Sequence, residues 1–380
     1  MRTMRRCAGW FLLALLLIYA PVEAAPGLQQ RVAALWERAD AQLAASHDCD
    51  ALATARRAVR IAPRNADAWA LLSWVYFESQ LDFTTMDVVD MANRAARLRW
   101  DSPRVRFAWG VAVCFCGPDT NLGMEALRDS LRVAPNYAQA HAMLALALWD
   151  DQKPTAAIAE MREAIRLQPT RSRWHAELAG MLGQGSFLDE ALAESQKAIR
   201  SATDNWQLAR AHRERAWLLA YRQQGAEALS EARLASALTP RESQAMADSC
   251  GANRALDNPP LMSAQAAYGA ITALFGDPRK AETILRDLWS DDVAGPARAY
   301  ALALQDKPED TTRELAREWG ETWRTSPQSP WHIHFIAKTY EAVGDIARAS
   351  AACAIALKTW PSHPWSAEWR TYLSQHPASQ

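Results

Sequence analysis

The chain has 380 residues, of which 49% are apolar and 9% aromatic, and a formal net charge of −1. This composition excludes a disordered protein, and the length suffices to bury a large core without a metal or a disulfide. The nearly balanced charge excludes a protein whose main partner is nucleic acid, because phosphate binding requires concentrated positive charge.

Residues 1–24 have the pattern of a secretory signal, with Arg2, Arg5 and Arg6 before an apolar stretch at 9–20 and small residues up to Ala24. A membrane anchor is the alternative, but this stretch is shorter than the roughly 18–20 residues that span a bilayer. We therefore expect cleavage after Ala24 and export, to the periplasm. Cleavage removes three arginines and Glu23, which changes the net charge from −1 to −3. No later stretch is long and apolar enough for a transmembrane segment.

The mature chain would keep five cysteines, at positions 49, 114, 116, 250 and 353. An odd number leaves at least one thiol free unless it pairs between chains. Cys114 and Cys116 are too close for an easy bridge to each other, and Cys353 lies in an apolar helical stretch. We expect buried thiols, and a bridge from Cys49 or Cys250 to the Cys114/Cys116 pair is left open.

A helical phrase that ends in proline recurs along the chain. It ends at Pro63, Pro135, Pro169, Pro240 and Pro361, and the step from Pro135 to Pro169 equals the step from Pro327 to Pro361. Each period contains two amphipathic segments of about a dozen residues with a short polar or glycine turn between them. Proline stops a helix because it lacks an N–H donor and collides with the preceding turn. The period therefore predicts a series of stacked helical hairpins.

These hairpins resemble the tetratricopeptide repeat (TPR) family, whose pattern is W-x2-L-G-x2-Y followed by A-x3-F and a late proline. Trp69, Leu72, Ser73 and Tyr76 stand at the first four places, and residues 138–171 keep Ala157, Met161, Ala164 and Pro169 at the later ones. The resemblance implies an all-α solenoid, a right-handed superhelix of about eight to nine helix–turn–helix repeats with a concave groove.

The repeats also suggest how the chain is divided. We expect an N-terminal array over 25–240, an irregular linker over 241–261, a C-terminal array over 262–363, and a capping helix and tail over 364–380. The linker breaks the phase and contains Asn258 followed by two prolines. The second repeat carries an insertion near 81–85.

The resemblance implies which residues line the groove. Carried over position by position, the lining residues are aromatic or aliphatic in three successive repeats and are flanked by arginines: Trp74, Phe77, Phe115, Leu146, Trp149, Arg173, Arg215 and Arg222. Aromatic rings on a groove offer flat contact surfaces to a peptide or to sugar rings. The alternative is that these rings pack against neighbouring helices or fill a tight superhelix.

No motif nominates a catalytic, cofactor or metal site. The chain has no HExxH, GxSxG, phosphate loop or paired CxxC. His332, His334 and His363 suggest a metal, but alternation by two on a helix points imidazoles to different sides, so we expect ordinary histidines. The sequence therefore predicts a non-catalytic scaffold that binds a protein or an extended peptide. The alternative is a component of exopolysaccharide or envelope-polymer export that contacts glycan through the groove aromatics.

Overall fold

The computed structural model describes residues 26–79, 85–238, 259–286, 288, 294–318 and 329–376. In these ranges every regular element is an α-helix. The predicted signal at 1–24 lies outside the described residues, as do 81–84 of the expected insertion and 241–258 of the expected linker. Within the described residues, no helix is both long enough and apolar enough to cross a bilayer.

The described chain forms nine helical pairs and a final helix, and these confirm the predicted helix–turn–helix solenoid. The helices are α1 (Pro26–Ala44), α2 (Asp48–Ile61), α3 (Ala66–Ser79), α4 (Thr85–Leu98), α5 (Pro103–Cys116), α6 (Thr120–Val133), α7 (Ala138–Asp150), α8 (Pro154–Leu167), α9 (Ser172–Gln184), α10 (Leu188–Ser201), α11 (Asn205–Tyr221), α12 (Gly225–Leu238), α13 (Pro259–Phe275), α14 (Pro278–Leu285), α15 (Ala294–Ala303), α16 (Pro308–Glu318), α17 (Pro330–Ala342), α18 (Ile346–Thr359) and α19 (Ser366–Gln375).

The two helices of a pair differ in how they are buried. The first, or inner, helix is apolar around most of its circumference, and α7 buries nine of its thirteen residues. The second, or outer, helix is amphipathic, and α8 buries only Ala157, Ile158, Met161 and Ala164. Inner helices contact both their own outer helix and the next inner helix, as α3 contacts α4 and α5. This arrangement explains why no pair can bury its apolar surface alone.

Small residues set the distance between the helices of a pair. An added Cβ on Gly123 of α6 would lie 2.6 Å from the backbone nitrogen of Cys114 and 2.7 Å from the carbonyl oxygen of Gly110, both on α5. The alanines of the repeat phrase have the same function, since Ala164 and Ala198 are fully buried. Close backbone approach therefore depends on side chains no larger than a methyl group at these places.

Replacing Ala164 or Ala198 with leucine is expected to lower the free energy of unfolding by about 1–3 kcal/mol each, because the extra methylenes overpack a filled interface. Urea unfolding followed by circular dichroism measures the change. Ala159→Leu is the matched control, since Ala159 is exposed on the same helix as Ala164. Equal losses of stability at Ala159 and Ala164 would contradict the assignment of Ala164 to the buried face of the helix and of Ala159 to its exposed face.

Two edges of the solenoid recur in every pair. Because successive helices are antiparallel, all turns within pairs lie on one side and all connections between pairs on the other. We call the first side the hairpin edge, formed by residues such as 45–47, 117–119, 151–153, 185–187 and 222–224. We call the second side the linker edge, formed by residues such as 62–65, 99–102, 134–137, 168–171, 202–204 and 360–365.

The solenoid coils tightly enough for its linker edge to meet its own hairpin edge. The Arg171 guanidinium pairs with Asp40 of α1, and Gln207 of α11 donates to the carbonyl oxygen of Ala44 at 3.0 Å. Further along, Ser186 donates to the carbonyl of Ser362, and His363 lies 3.3 Å from the hydroxyl of Tyr221. The fifth and sixth pairs thus rest on the first two, and the ninth rests on the fifth and sixth, so one superhelical turn takes about four pairs.

Helix α13 begins at Pro259, near the end of the range expected for the linker, since proline suits the first turn of a helix, where no N–H is needed. One sequence expectation about the cysteines needs correction. Cys49 is disulfide-bonded, whereas Cys114, Cys116 and Cys353 are free, so a bridge to the Cys114/Cys116 pair is wrong. Burial raises the pKa of both Cys114 and Cys353 to about 12, which keeps these thiols protonated.

Candidate functional site

The predicted aromatic row lies inside the coil and is partly used for packing. Trp74 is only 3% exposed and packs edge-on against Phe107, with ring centroids 4.9 Å apart. Phe77 and Phe115 contact each other at 5.4 Å and are half-buried, as are Leu146 and Trp149. Trp74 therefore belongs to the core, in agreement with the alternative that rings fill a tight superhelix. The other four side chains retain an accessible part.

The three predicted arginines have different positions. Arg173 of α9 pairs with Glu78 at the end of α3 and so lies on the inner side of the coil. Arg215 instead contacts Glu231 of the outer helix α12 at 3.2 Å, and Arg222 contacts Asp189 of the outer helix α10 at 2.7 Å. Their assignment to the groove is corrected, because both side chains are directed towards outer helices.

The register of the repeats shifts in this part of the coil. His141 and His175 occupy the same place in α7 and α9, one repeat period apart, and each binds a glutamate on the outer helix of its own pair. The equivalent pair in the next repeat is His212 with Glu231, and the step from His175 to His212 is longer by three positions than the step before it. The places in α11 that are equivalent to Leu146 and Trp149 are therefore Trp217 and Ala220, neither of which is Arg215 or Arg222.

The histidines at this place stabilise the linker edge. The Nδ1 atoms of His141 and His175 lie 2.6 and 2.7 Å from Glu160 and Glu194, and their Nε2 atoms lie 2.8 and 2.9 Å from the carbonyl oxygens of Pro135 and Pro169. Trp69 makes the same bond to the carbonyl of Pro63 at 2.8 Å. Sequence analysis missed this role, although a histidine recurring at the place of Trp69 in two successive repeats was the available signal.

Charged side chains cross the interior where one turn rests on the next. Arg173 pairs with Glu78 and lies 3.8 Å from Glu177, and Arg210 of α11 binds the same Glu177 at 2.8 Å. The Glu78 carboxylate raises the pKa of Arg173, whereas burial and the nearby Arg173 lower the pKa of Arg210 to about 10. Because these charged side chains pair with one another, we assign this network mainly a structural role.

An opening in the described part of the chain lies at the linker edge of its first turn. It has a volume of about 410 Å³ and is formed by α1, the start of α5, the connection into α7 and the end of α8, through Trp36, Glu37, Arg104, Asn136, Tyr137, Gln139 and Gln168 among others. Arg104 lies over the ring of Trp36 at 5.0 Å and binds Glu37 at 2.6 Å. This volume is in the range of ligand pockets, about 300–1,000 Å³.

Two polar atoms near this opening have unused hydrogen-bonding capacity. The hydroxyl of Tyr137 and Oδ1 of Asp40 are buried and have no hydrogen-bond partner among the described residues. Burial raises the pKa of Tyr137 well above its ordinary value, so the hydroxyl keeps its proton and can donate. A buried polar group without a partner is costly, which makes such atoms candidates for ligand contact.

The C-terminal histidines form an aromatic cluster. His334 stacks on Trp365 at 3.6 Å and accepts a hydrogen bond from the indole of Trp369 at 3.2 Å. His363 stacks on Trp369 and accepts from the backbone N–H of Trp365 at 3.3 Å. Among the described residues, no three histidine, cysteine or carboxylate side chains are arranged to hold a metal ion. Burial lowers the pKa of all three histidines, that of His332 to about 4 and that of His363 to about 3.

Comparison with known proteins finds similarity of structure only. No family model and no curated protein matches the sequence. Among solved structures, the APC/C hetero-tetramer Cut9–Hcn1 is 16% identical, with a TM-score of 0.64 over 85% of this chain and 58% of that one. Yeast Tom70 is 11% identical (78% and 59% covered, TM-score 0.45), and YrrB, a TPR protein with an unusual peptide-binding site, is 15% identical (51% and 97%, TM-score 0.36). The chain thus spans somewhat more than half the length of its Cut9–Hcn1 match.

Proposed function

We propose that this chain, which has the fold of tetratricopeptide-repeat proteins, is a non-catalytic scaffold that holds a segment of a partner protein on the inner side of its coil. The fold is the part of this statement that the comparisons establish, through the Cut9–Hcn1 likeness. The partner and the absence of catalysis are our proposal, since one fold carries many functions.

The observation that carries the proposal is the row of half-buried side chains on the inner helices. Phe77, Phe115, Leu146 and Trp149 keep an accessible part and present apolar surface to an incoming segment. A protein segment satisfies this surface, because a peptide offers apolar side chains of its own. The opening of about 410 Å³ at the linker edge is a separate feature, lined by none of these four side chains.

We further propose that the protein works in the periplasm. The basic, apolar and small-residue order of residues 1–24 supports export. The disulfide on Cys49 also supports an oxidising compartment, since disulfides are rare where thiols are kept reduced. Secretion of a reporter fused after residue 24, with loss of export when the apolar stretch is deleted, tests this point.

Affinity capture from envelope extracts tests the scaffold proposal. The purified chain is expected to retain a partner protein that the double variant Phe115→Ala/Trp149→Ala loses, because both substitutions remove half-buried apolar surface from the inner side. Phe187→Ala is the matched control, since Phe187 is 57% exposed in a turn at the hairpin edge. The captured protein is then purified and its affinity measured for all three chains by calorimetry.

Three results would contradict the scaffold. If both variants capture the partner protein equally well, the partner binds at a surface other than the inner aromatic row. Retarded migration in polysaccharide-containing gels, lost in Phe115→Ala/Trp149→Ala, would favour the glycan-contacting role in polymer export. A catalytic activity that stays with the protein through purification would show that the chain is an enzyme. Circular dichroism and thermal unfolding of each variant exclude loss of fold as the cause.

A further inference from the structure

The linker edge of the fifth and sixth pairs receives acidic groups from the chain itself. Where these pairs rest on the first turn, Arg171 binds Asp40 and Arg173 binds Glu78, both at the ends of inner helices. Trp206, Gln207 and Arg210 line the same contact. The fold therefore contains an example of what its linker edge binds, namely carboxylates from a neighbouring segment.

The linker edge of the first four pairs also carries arginines and lies at the N-terminal end of the described coil. The last turn of each outer helix ends in an exposed arginine, at positions 60, 97, 132 and 166. Arg60 and Arg97 make no ion pair with any described residue, and the pairs of Arg132 with Asp129 and Arg166 with Glu163 are exposed contacts within one helix. Exposed ion pairs of this kind are weak and exchange readily with a ligand.

An exposed aliphatic residue follows three of these arginines. Ile61, Leu98 and Val133 are 38%, 42% and 54% exposed at the last positions of their helices, and at the opposite ends of the helices of Leu98 and Val133 the side chains of Met86 and Leu122 are 69% and 45% exposed. Interaction with the helix dipole explains an arginine in the last turn, but it does not explain an exposed aliphatic neighbour repeated in successive pairs. Arg64 adds positive charge in the first connection, outside any helix, whereas Arg99 in the second connection pairs with Asp67 at 3.2 Å and with Asp101 at 3.5 Å.

The opening of about 410 Å³ lies on this same edge. It is lined by residues of two connections, including Asn136 and Gln168, and by Arg104 at the start of α5. Its buried hydroxyl at Tyr137 has a proton to donate and no acceptor among the described residues. The opening and the row of arginines thus form one surface, with a recess at one part and exposed charge along the rest.

We infer that this surface binds an extended, acidic segment of a partner protein, in the way that the later linker edge binds Asp40 and Glu78. Packed helices lie about 8–10 Å apart or more, and an extended chain rises about 3.3 Å per residue, so an acidic side chain at every third or fourth position meets successive arginines. Aliphatic residues between the acidic ones then contact Ile61, Leu98 and Val133.

Charge favours this occupant over a second copy of the chain or a lipid surface. At the other end of the coil the hairpin edge carries both signs, as with Asp306 beside Lys307 and Asp345 paired with Arg348 at 2.8 Å, so a second copy offers no excess of carboxylate. The exposed aliphatic residues are single and separated by charged ones, including Asp129 and Glu163. They form no continuous apolar face of the kind that enters a bilayer.

This inference rests on the proposed scaffold function but concerns a different surface from the inner aromatic row. Its test uses a fluorescent peptide of about 15 residues with glutamate at every third position and leucine or alanine between, and a second peptide with lysine in place of glutamate. Anisotropy at low ionic strength is expected to show binding of the acidic peptide alone. Added salt is expected to weaken this binding, because exposed charges are screened.

Two charge-reversal variants locate the contact. Arg97→Glu/Arg132→Glu is expected to weaken binding about tenfold, since each reversal turns an attraction into a repulsion. Arg279→Glu/Arg313→Glu is the matched control: it changes the net charge equally, and it likewise combines one arginine without an ion pair to any described residue and one paired within its own helix, here with Asp310. Tyr137→Phe is expected to weaken binding several-fold without lowering the melting temperature, since it removes a buried hydroxyl that has no partner among the described residues.

Each remaining outcome overturns the inference. These outcomes are equal binding of both peptides, equal loss in the two double variants, an unchanged affinity in Tyr137→Phe, self-association that depends on Arg97 and Arg132, or binding only to vesicles of phosphatidylcholine and phosphatidylglycerol. Because the assay needs only purified chain and synthetic peptide, it is independent of partner capture through Phe115 and Trp149. If the acidic peptide does not bind but the capture of a partner succeeds, the inference about the linker edge is wrong and the proposed scaffold function stands.

Discussion

Arg171→Met is expected to lower the free energy of unfolding by about 3–5 kcal/mol, because it leaves a buried carboxylate without its cation. The side chains of Arg171 and Asp40 are only 12% and 11% exposed, and Oδ1 of Asp40 already lacks a partner among the described residues. Methionine keeps the length and much of the packing of the arginine stem. The effect therefore measures the charge contact between the first superhelical turn and the second, and urea unfolding at constant pH determines it.

A double-mutant cycle separates this contact from general damage. Arg171→Met/Asp40→Leu is expected to recover most of the lost stability, since replacing both members of a buried pair by apolar residues is often nearly neutral. Arg166→Met is the control: Arg166 is 63% exposed, its pair with Glu163 lies within one helix, and we expect no measurable change in the free energy of unfolding. A cost below about 1 kcal/mol for Arg171→Met would mean that the turns do not rest on each other here.

Acidification is expected to destabilise the C-terminal part of the coil. His332, His334 and His363 are almost fully buried, and burial lowers their pKa below the ordinary 6.5, to about 4 for His332 and about 3 for His363. Below pH 6.5 the unfolded chain binds protons that the folded chain does not, so stability is full above that pH and falls as the pH drops. At pH 4.5 the loss is about 2–3 kcal/mol for each of His332 and His363, or about 5 kcal/mol together, and the lowered pKa of His334 adds to it in the same direction.

Such a loss is comparable with the whole stability of a typical domain, about 5–15 kcal/mol, so cooperative unfolding is expected between about pH 5 and 4. Other groups modify the curve. The pKa values of Glu194, Glu231 and Glu282 are lowered against the effect of burial by their basic partners, and these carboxylates add to the loss at lower pH. His141 opposes it, because its hydrogen bonds outweigh burial and raise its pKa.

The variant His363→Gln isolates one of these histidines. Glutamine keeps a hydrogen-bonding group beside Tyr221 but does not titrate, so the slope of stability against pH between 6 and 4.5 should fall by about 1.4 kcal/mol per pH unit. His47→Gln is the control, because His47 is exposed at the hairpin edge. An unchanged slope for His363→Gln would show that this imidazole is accessible to protons in the folded chain.

The repeat made the fold predictable. Proline after the outer helices, alanines such as Ala164 and Ala198 at the helix contacts, and the spacing of Trp69, Leu72 and Tyr76 are local signals, and the alanines and Trp69 are confirmed by their buried and capping positions in the structure. The candidate site was harder. Arg215 and Arg222 were expected to flank the groove, but their carboxylate partners lie on outer helices, and three extra positions before His212 shift the register in α11. Trp74 is buried because it packs against Phe107, which lies on the inner helix of the next pair.

The sequence by itself determined the helical hairpins and their order, because capping, turn chemistry and the repeat spacing act between residues close in the chain. Only the tertiary structure decided how tightly the hairpins coil, and with it that Arg171 meets Asp40 and that Tyr221 meets His363. These contacts join residues 131 and 142 positions apart, and they result from small rotations between neighbouring pairs that add up over about four repeats. No local sequence pattern encodes the summed rotation of four repeats. The positions of the opening and of the arginines along the linker edge can therefore be seen only in the folded coil.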